Sequence, residues 1–231
     1  MTDSQAEADA MMGVLGKYGL DREPTPTEVA DLILSLLSQD ELSSRSGDLA
    51  RLIWGLAKTD NAEAKLSVVR RLDSLSDRAV CTEIGKLAVS LEDDIPVNYL
   101  RQVLSQSQSE NAKIAAVYAL GNSTVHGEEI FGLLLTLAED EALSENLRGF
   151  AIEGLATLGA SEALPNLREL AFRKDIPPKV AFWIAYSLGE IGDETAILAL
   201  EFLSKDSRQG EFGKTIGEEA RESLDIVNAK G

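Results

Sequence analysis

Gly189 and Gly192, in "SLGEIGDETAILALEFL", stand three residues apart at the junction of two apolar runs, where a glycine-rich turn could wrap its amides around a phosphate. Phosphate loops carry basic residues beside their glycines, whereas Glu190 and Asp193 occupy those positions here and would repel an anion. The sole histidine, His126, lies beside Glu128 and Glu129, and these residue types can ligate a divalent metal. Adjacent glutamates point in different directions from a helix start, so the expectation is instead acidic residues complementing a helix dipole. The carboxylates Asp93 with Asp94, and Glu139 to Glu141, would need opposed positions in different environments to work as acid and base. Their places at predicted helix ends read as solvated loops. Cys81, the single cysteine, lies in the apolar stretch "RAVCTEIGKLAV" and reads as a buried structural thiol rather than a nucleophile. No catalytic residue, metal or cofactor is expected.

Charge narrows the partners. The 231 residues hold 39 acidic against 22 basic side chains, a formal net charge of -17. A surface of this sign lacks the basic stripe that displaces counterions from nucleic acid, and it disfavours anionic membranes. It suits solubility and a protein partner with a basic surface. The start "MTDSQAEADAMM" has neither the basic residues nor the apolar stretch of a signal peptide, and apolar runs fall short of a spanning helix, so a cytoplasmic location is expected.

The elements that would position any site repeat along the chain. Leu56, Leu87, Leu120, Leu155, Leu188 and Leu224 are separated by 31, 33, 35, 33 and 36 residues. In the clearest units a second apolar anchor follows 12 or 13 residues later, at Leu133, Leu167 and Leu200. Leu147, Phe150, Ala151, Leu155 and Leu158 recur at helical spacing, Gly159 stops that helix, and Ser161 is placed to cap a second one carrying Leu164, Leu167, Leu170 and Ala171. Short amphipathic helix pairs bury their faces only by stacking, which predicts an α-solenoid.

The segment "VAFWIAYSLGEIGDETAILALEFLSKD", residues 180–206, resembles the short HEAT-like repeats associated with phycobilisome lyases, in which a helix ending A-L-G-x-I-G-D turns into a second helix. Residues 147–175, with "LATLGASEALPNL", and the stretch "YALGNSTVHGEEIFGL" are similar to it, while residues 45–109 are degenerate and lack the G-x-x-G turn. The resemblance implies an all-α solenoid of about five stacked two-helix HEAT-like repeats. It also offers, as an alternative function, an accessory subunit of a phycobilin lyase or another phycobilisome-handling factor. HEAT-repeat di-iron hydroxylases need several His–Glu pairs, and this chain has one His. HEAT-like alkylpurine DNA glycosylases hold DNA on a basic concave face, and here basic side chains dominate no helix pair. The W-x-x-L-G-x-x-Y pattern of tetratricopeptide repeats and the T-P-L-H of ankyrin repeats are absent.

The organisation predicted is one α-solenoid domain over 1–231: an acidic helical cap at 1–44, degenerate repeats at 45–109, clear repeats at 110–206 and a capping helix at 207–231. In "TPTEVADLILSLLS" Thr25, Pro26 and Glu28 are placed to start a helix. Such stacks bind through the outward stripe of the second helices, at positions −1, +2 and +6 from the second anchor. These are Tyr99, Gln102 and Gln106 in one unit and Asn166, Glu169 and Arg173 in another, the candidate protein-binding residues. The equivalent positions Phe202 and Leu135 are expected to belong to the core. The function expected is a non-catalytic protein-interaction scaffold.

Overall fold

The computed structural model describes residues 3–230 apart from 21, 40, 41, 93–95 and 124–126. His126, Asp93 and Asp94 therefore lie outside the described residues. The described chain is all-α: α1 (Asp3–Lys17), α2 (Pro26–Leu37), α3 (Leu42–Ala57), α4 (Ala62–Val69), α5 (Arg78–Val89), α6 (Val97–Gln106), α7 (Glu110–Gly121), α8 (Gly127–Glu139), α9 (Glu145–Thr157), α10 (Leu164–Ala171), α11 (Pro178–Ile191), α12 (Ile197–Leu203) and α13 (Ile216–Lys230). No helix among the described residues is long and apolar enough to cross a membrane.

The chain divides into two compact units, Met1–Ala119 and Leu120–Gly231. In the first, α1 and α2 pack on α3, α2 also on α4, and α3 on α5. In the second, α9 packs on α11, α11 on α13, and α10 on α12, so these helices meet their counterparts in the next pair. This stacking of like on like is that of an α-solenoid.

Side-chain hydrogen bonds recur at the same period. Ser107 Oγ donates to the Asp73 carbonyl (3.2 Å), Asn111 Nδ2 to that of Ser76 (2.9 Å), Ser187 Oγ to that of Ile152 (3.1 Å) and Arg208 Nη1 to that of Ile176 (2.9 Å). Donor and acceptor are 32 to 35 residues apart in each case, one repeat. A bond of this kind contributes about 1 kcal/mol net, and it also fixes the register of one pair on the next.

Local signals place the ends. Thr25 and Glu28 form a reciprocal capping box before α2, with Glu28 N donating to Thr25 Oγ1 (3.3 Å) and Thr25 N to Glu28 Oε2 (2.8 Å). Thr215 and Glu218 repeat the device before α13 (3.2 and 2.7 Å). Gly159 leaves α9 with φ +67°, a left-handed conformation that favours glycine. Ser161 does not cap the next helix, contrary to expectation. A 3-10 turn, Ser161–Ala163, intervenes, and Ala163 precedes α10 with no side-chain bond. Pro165 in the first turn lacks an N–H, so one donor fewer needs a partner there.

The Gly189–Gly192 turn is filled by protein. A Cβ on Gly189 would lie 2.6 Å from Ser223 Oγ of α13, and one on Gly192 2.0 Å from the Leu188 carbonyl oxygen. Lys230 Nζ, at the end of α13, donates to the Gly189 and Glu190 carbonyls (2.8 and 2.6 Å), satisfying the C-terminus of α11 with a cation. Asp193 caps the following 3-10 turn, accepting from Thr195 N at 2.8 Å. The turn is a stacking device between α11 and α13.

Candidate functional site

The candidate residues fall in both units. Tyr99, on α6, is half-buried, and its hydroxyl accepts from Asp73 N and donates to Asp73 Oδ1 (both 3.2 Å). Burial pushes that hydroxyl up to about 12, so it stays a neutral donor. Tyr99 is a strut joining α6 to the turn after α4. Gln102 and Gln106, one helical turn apart, are exposed and bonded to each other (Nε2 to Oε1, 3.1 Å). They line an open groove of about 520 Å³ with Asp73–Ser76 and Ser107–Ser109.

In the second unit, Asn166 Nδ2 donates to Glu139 Oε1 (2.7 Å) and Arg173 Nη1 to Glu141 Oε1 (2.7 Å), while Glu169 lies 4.0 Å from Arg173 Nη2. Those partners belong to the preceding pair and the turn after it, so this polar stripe runs across repeats. Glu139 and Glu141 thus tie α8 and the turn after it to α10 and to Arg173 just beyond its end.

Beside that stripe, Phe202 and Leu135 depart from the core placement expected from the sequence. Phe202 is 47% exposed, not core, and its ring sits 5.2 Å from that of Phe172, itself 49% exposed. Leu198, one turn before Phe202 on α12, is 72% exposed. The reason is register: the seven-residue α12 turns Ala199, Leu200 and Leu203 inward, which leaves Leu198 and Phe202 on the opposite side. Leu135 is half-buried, and the fully buried anchor of α8 is Leu134 rather than Leu133. Phe172 ends α10 at no predicted stripe position. The available signal was an aromatic residue on the second helix of two consecutive units.

Three further residues bear on chemistry. Cys81 is 1% exposed, and burial pushes its thiol up to about 11, the state of an inert core residue. After α12, Arg208 grips the Asp206 carboxylate through Nε (3.1 and 3.0 Å) and Nη2 (2.6 Å) while donating to the Ile176 carbonyl. The hydrogen bonds from Arg208 hold the Asp206 carboxyl below its usual range. A lowered folded-state value means stability present above the unfolded value, about 3.9, and lost as pH falls through the folded one. Asp206→Asn is expected to cost about 1 kcal/mol at pH 7, the pair being partly exposed, and the difference in urea melts to shrink progressively as the pH falls below the unfolded value of about 3.9.

A third constellation is a groove of about 400 Å³ walled by α9, α11, α13 and the turn before α13. Trp183 is its centre, with the rings of Phe182 (5.7 Å, 89°), Tyr186 (5.5 Å, 87°) and Phe212 (5.9 Å, 89°) all near-perpendicular to it. Glycines make room for this packing: a Cβ on Gly149 would lie 2.5 Å from Trp183 Cδ1, and one on Gly210 2.3 Å from Phe182 Cδ2.

No curated protein matches the chain. Residues 133–211, which hold α9 to α12 and the polar and aromatic stripe, match the family model for HEAT repeats, and in this segment the chain is similar to that family.

Proposed function

We propose that the protein is a non-catalytic scaffold that presents the α10–α12 face to a protein partner in the cytoplasm. The observation that carries the reading is the exposed Phe172–Phe202 pair, extended by Leu198 and bordered by Asn166, Glu169 and Arg173. An aromatic centre with an arginine and carboxylate rim is the usual anatomy of a protein-recognition patch, where a few rings supply most of the affinity. The rim side chains are already held by Glu139 and Glu141, so little rotamer freedom is lost on binding. The excess of acidic residues favours a partner with a basic surface. Tyr99, Gln102 and Gln106 would add a second contact region in the first unit.

A photoreactive phenylalanine at position 172 or 202, used in the cells the protein comes from, is expected to give an adduct with one defined protein. Purified, that partner should bind the unmodified chain, and alanine at Tyr99, Gln102, Asn166 and Arg173 together should weaken it by about tenfold. Undiminished binding by the fourfold variant would move the site away from these helices. An adduct that carries a bilin or is a phycobiliprotein, with visible absorbance in the copurified complex, would favour the lyase-accessory reading instead.

A further inference from the structure

The groove around Trp183 lies on α9, α11 and α13, a set of helices different from those of the proposed protein-binding face. Four carboxylates line it, Glu153, Glu190, Glu219 and Glu222, against one ammonium, Lys214. Lys214 Nζ is engaged by Glu219 (3.2 Å) and Glu222 (2.5 Å). The carboxylates of Glu153 and Glu190 have no hydrogen-bond or ion-pair partner among the described residues. Burial raises the Glu153 carboxyl above its usual range, and the Tyr186 hydroxyl is raised by its own burial and by the charges of Glu190, Glu153 and Glu219. The groove therefore combines ring faces with two carboxylates that have no direct partner, the nearby Lys230 ammonium being engaged by the Gly189 and Glu190 carbonyls, in a partly desolvated setting, the combination that attracts an organic cation.

The turn that completes the groove is strained. Phe212 (φ 54°) and Gly213 (φ 76°) are both left-handed, Lys214 N bonds to the Glu211 carbonyl (2.9 Å), and Gln209 bridges to Thr215, the arrangement of a primed hairpin turn. That turn favours Asn, Asp or Gly at its first central position, and a phenylalanine there costs stability. The ring gains little burial in return, being 79% exposed while its edge meets Trp183. Strain retained to hold an exposed ring at the mouth of a groove points to recognition.

We propose that this groove binds an arginine or lysine side chain presented by a protein partner, with Trp183, Tyr186 and Phe212 as ring walls and Glu153 and Glu190 as counter-charges. The aliphatic stem of such a side chain would run along Ile226, which is 40% exposed at the groove's edge.

The test uses the 231-residue chain with Trp54→Phe, which leaves Trp183 as its only tryptophan. The probe is a short blocked peptide with two arginines separated by glycine, compared with the same peptide carrying uncharged citrulline. Trp183 emission is expected to change saturably with the arginine peptide and about tenfold more weakly with the citrulline one. Glu153→Gln with Glu190→Gln should abolish most of the response, while Glu128→Gln with Glu129→Gln, which do not line the groove, should leave it unchanged. Phe212→Asn should lose binding yet raise the melting temperature by about 2–4 °C, because Asn tolerates the left-handed conformation. Equal response to citrulline, no saturable change, equal weakening by both glutamine pairs, or full binding by Phe212→Asn would each overturn the proposal. Phe202→Ala should not alter this titration, so failure here and failure of the α10–α12 face are separately readable.

Discussion

Gly192→Ala is expected to destabilise the Leu120–Gly231 unit by about 3 kcal/mol or more, among the largest effects of any single methyl group in the chain. The backbone dihedrals at Gly192 (φ −75°, ψ 157°) suit any residue, so the cost is not conformational. It is steric: the new Cβ would stand 2.0 Å from the Leu188 carbonyl oxygen and 2.9 Å from Ala196 Cβ. Neither neighbour is the end of a flexible side chain, so α11 and the 3-10 turn after it must separate. The control is Gly132→Ala in α8, where a Cβ meets nothing within 4 Å. Helix propensity alone then acts, and a gain of about 0.5–1 kcal/mol is expected. Chemical denaturation of the two variants beside the parent checks both signs. Similar small effects from both would mean that the turn is not a packed junction.

Arg148→Ala is expected to cost about 2–4 kcal/mol, for a different reason. Arg148 is 4% exposed in α9, and its Nε donates to the Ala138 carbonyl near the end of α8 (3.0 Å). Desolvation lowers its basicity, while Glu141 and Asp140 favour the charged form. Truncation removes the packed stem and leaves a buried carbonyl unpaired, together with carboxylates that had a cation nearby. Arg148→Met keeps most of the volume and should recover the packing share of the loss, leaving about 1–3 kcal/mol for the unpaired carbonyl. Urea titrations of the two variants separate the shares. Equal losses would assign the whole effect to the hydrogen bond and charge.

The repeat was legible in the sequence because burial and turning leave period-specific marks. Leu56, Leu87, Leu120, Leu155 and Leu188 are all 0% exposed, the sixth anchor, Leu224, is half-buried, and Gly189 meets the next helix through Ser223. The hydrogen bonds between repeats were less visible, since Ser187 or Asn111 has no period of its own until the carbonyl it reaches is in place. Exposed rings were the hardest to foresee. Phe202 has the same composition signal as a core residue, and only the short length and rotation of α12 turn it outward. Phe212 could have been suspected from "EFGK", where glycine follows an aromatic in a hairpin-sized loop. Its partner Trp183, 29 residues earlier, becomes its neighbour only when α11 packs on α13.

The proposed scaffold role rests most on the Phe172–Phe202 face as a protein-recognition surface. Its most direct test is the affinity of the partner captured at that face for the unmodified chain and for Phe172→Ala with Phe202→Ala, read by calorimetry alongside a circular-dichroism melt of each. A recognition surface centred on these rings predicts a loss of about tenfold to a hundredfold in affinity with an unchanged melt, as for central aromatic anchors. Affinity within about twofold of the parent, less than the effect of one weak interface contact, would contradict it.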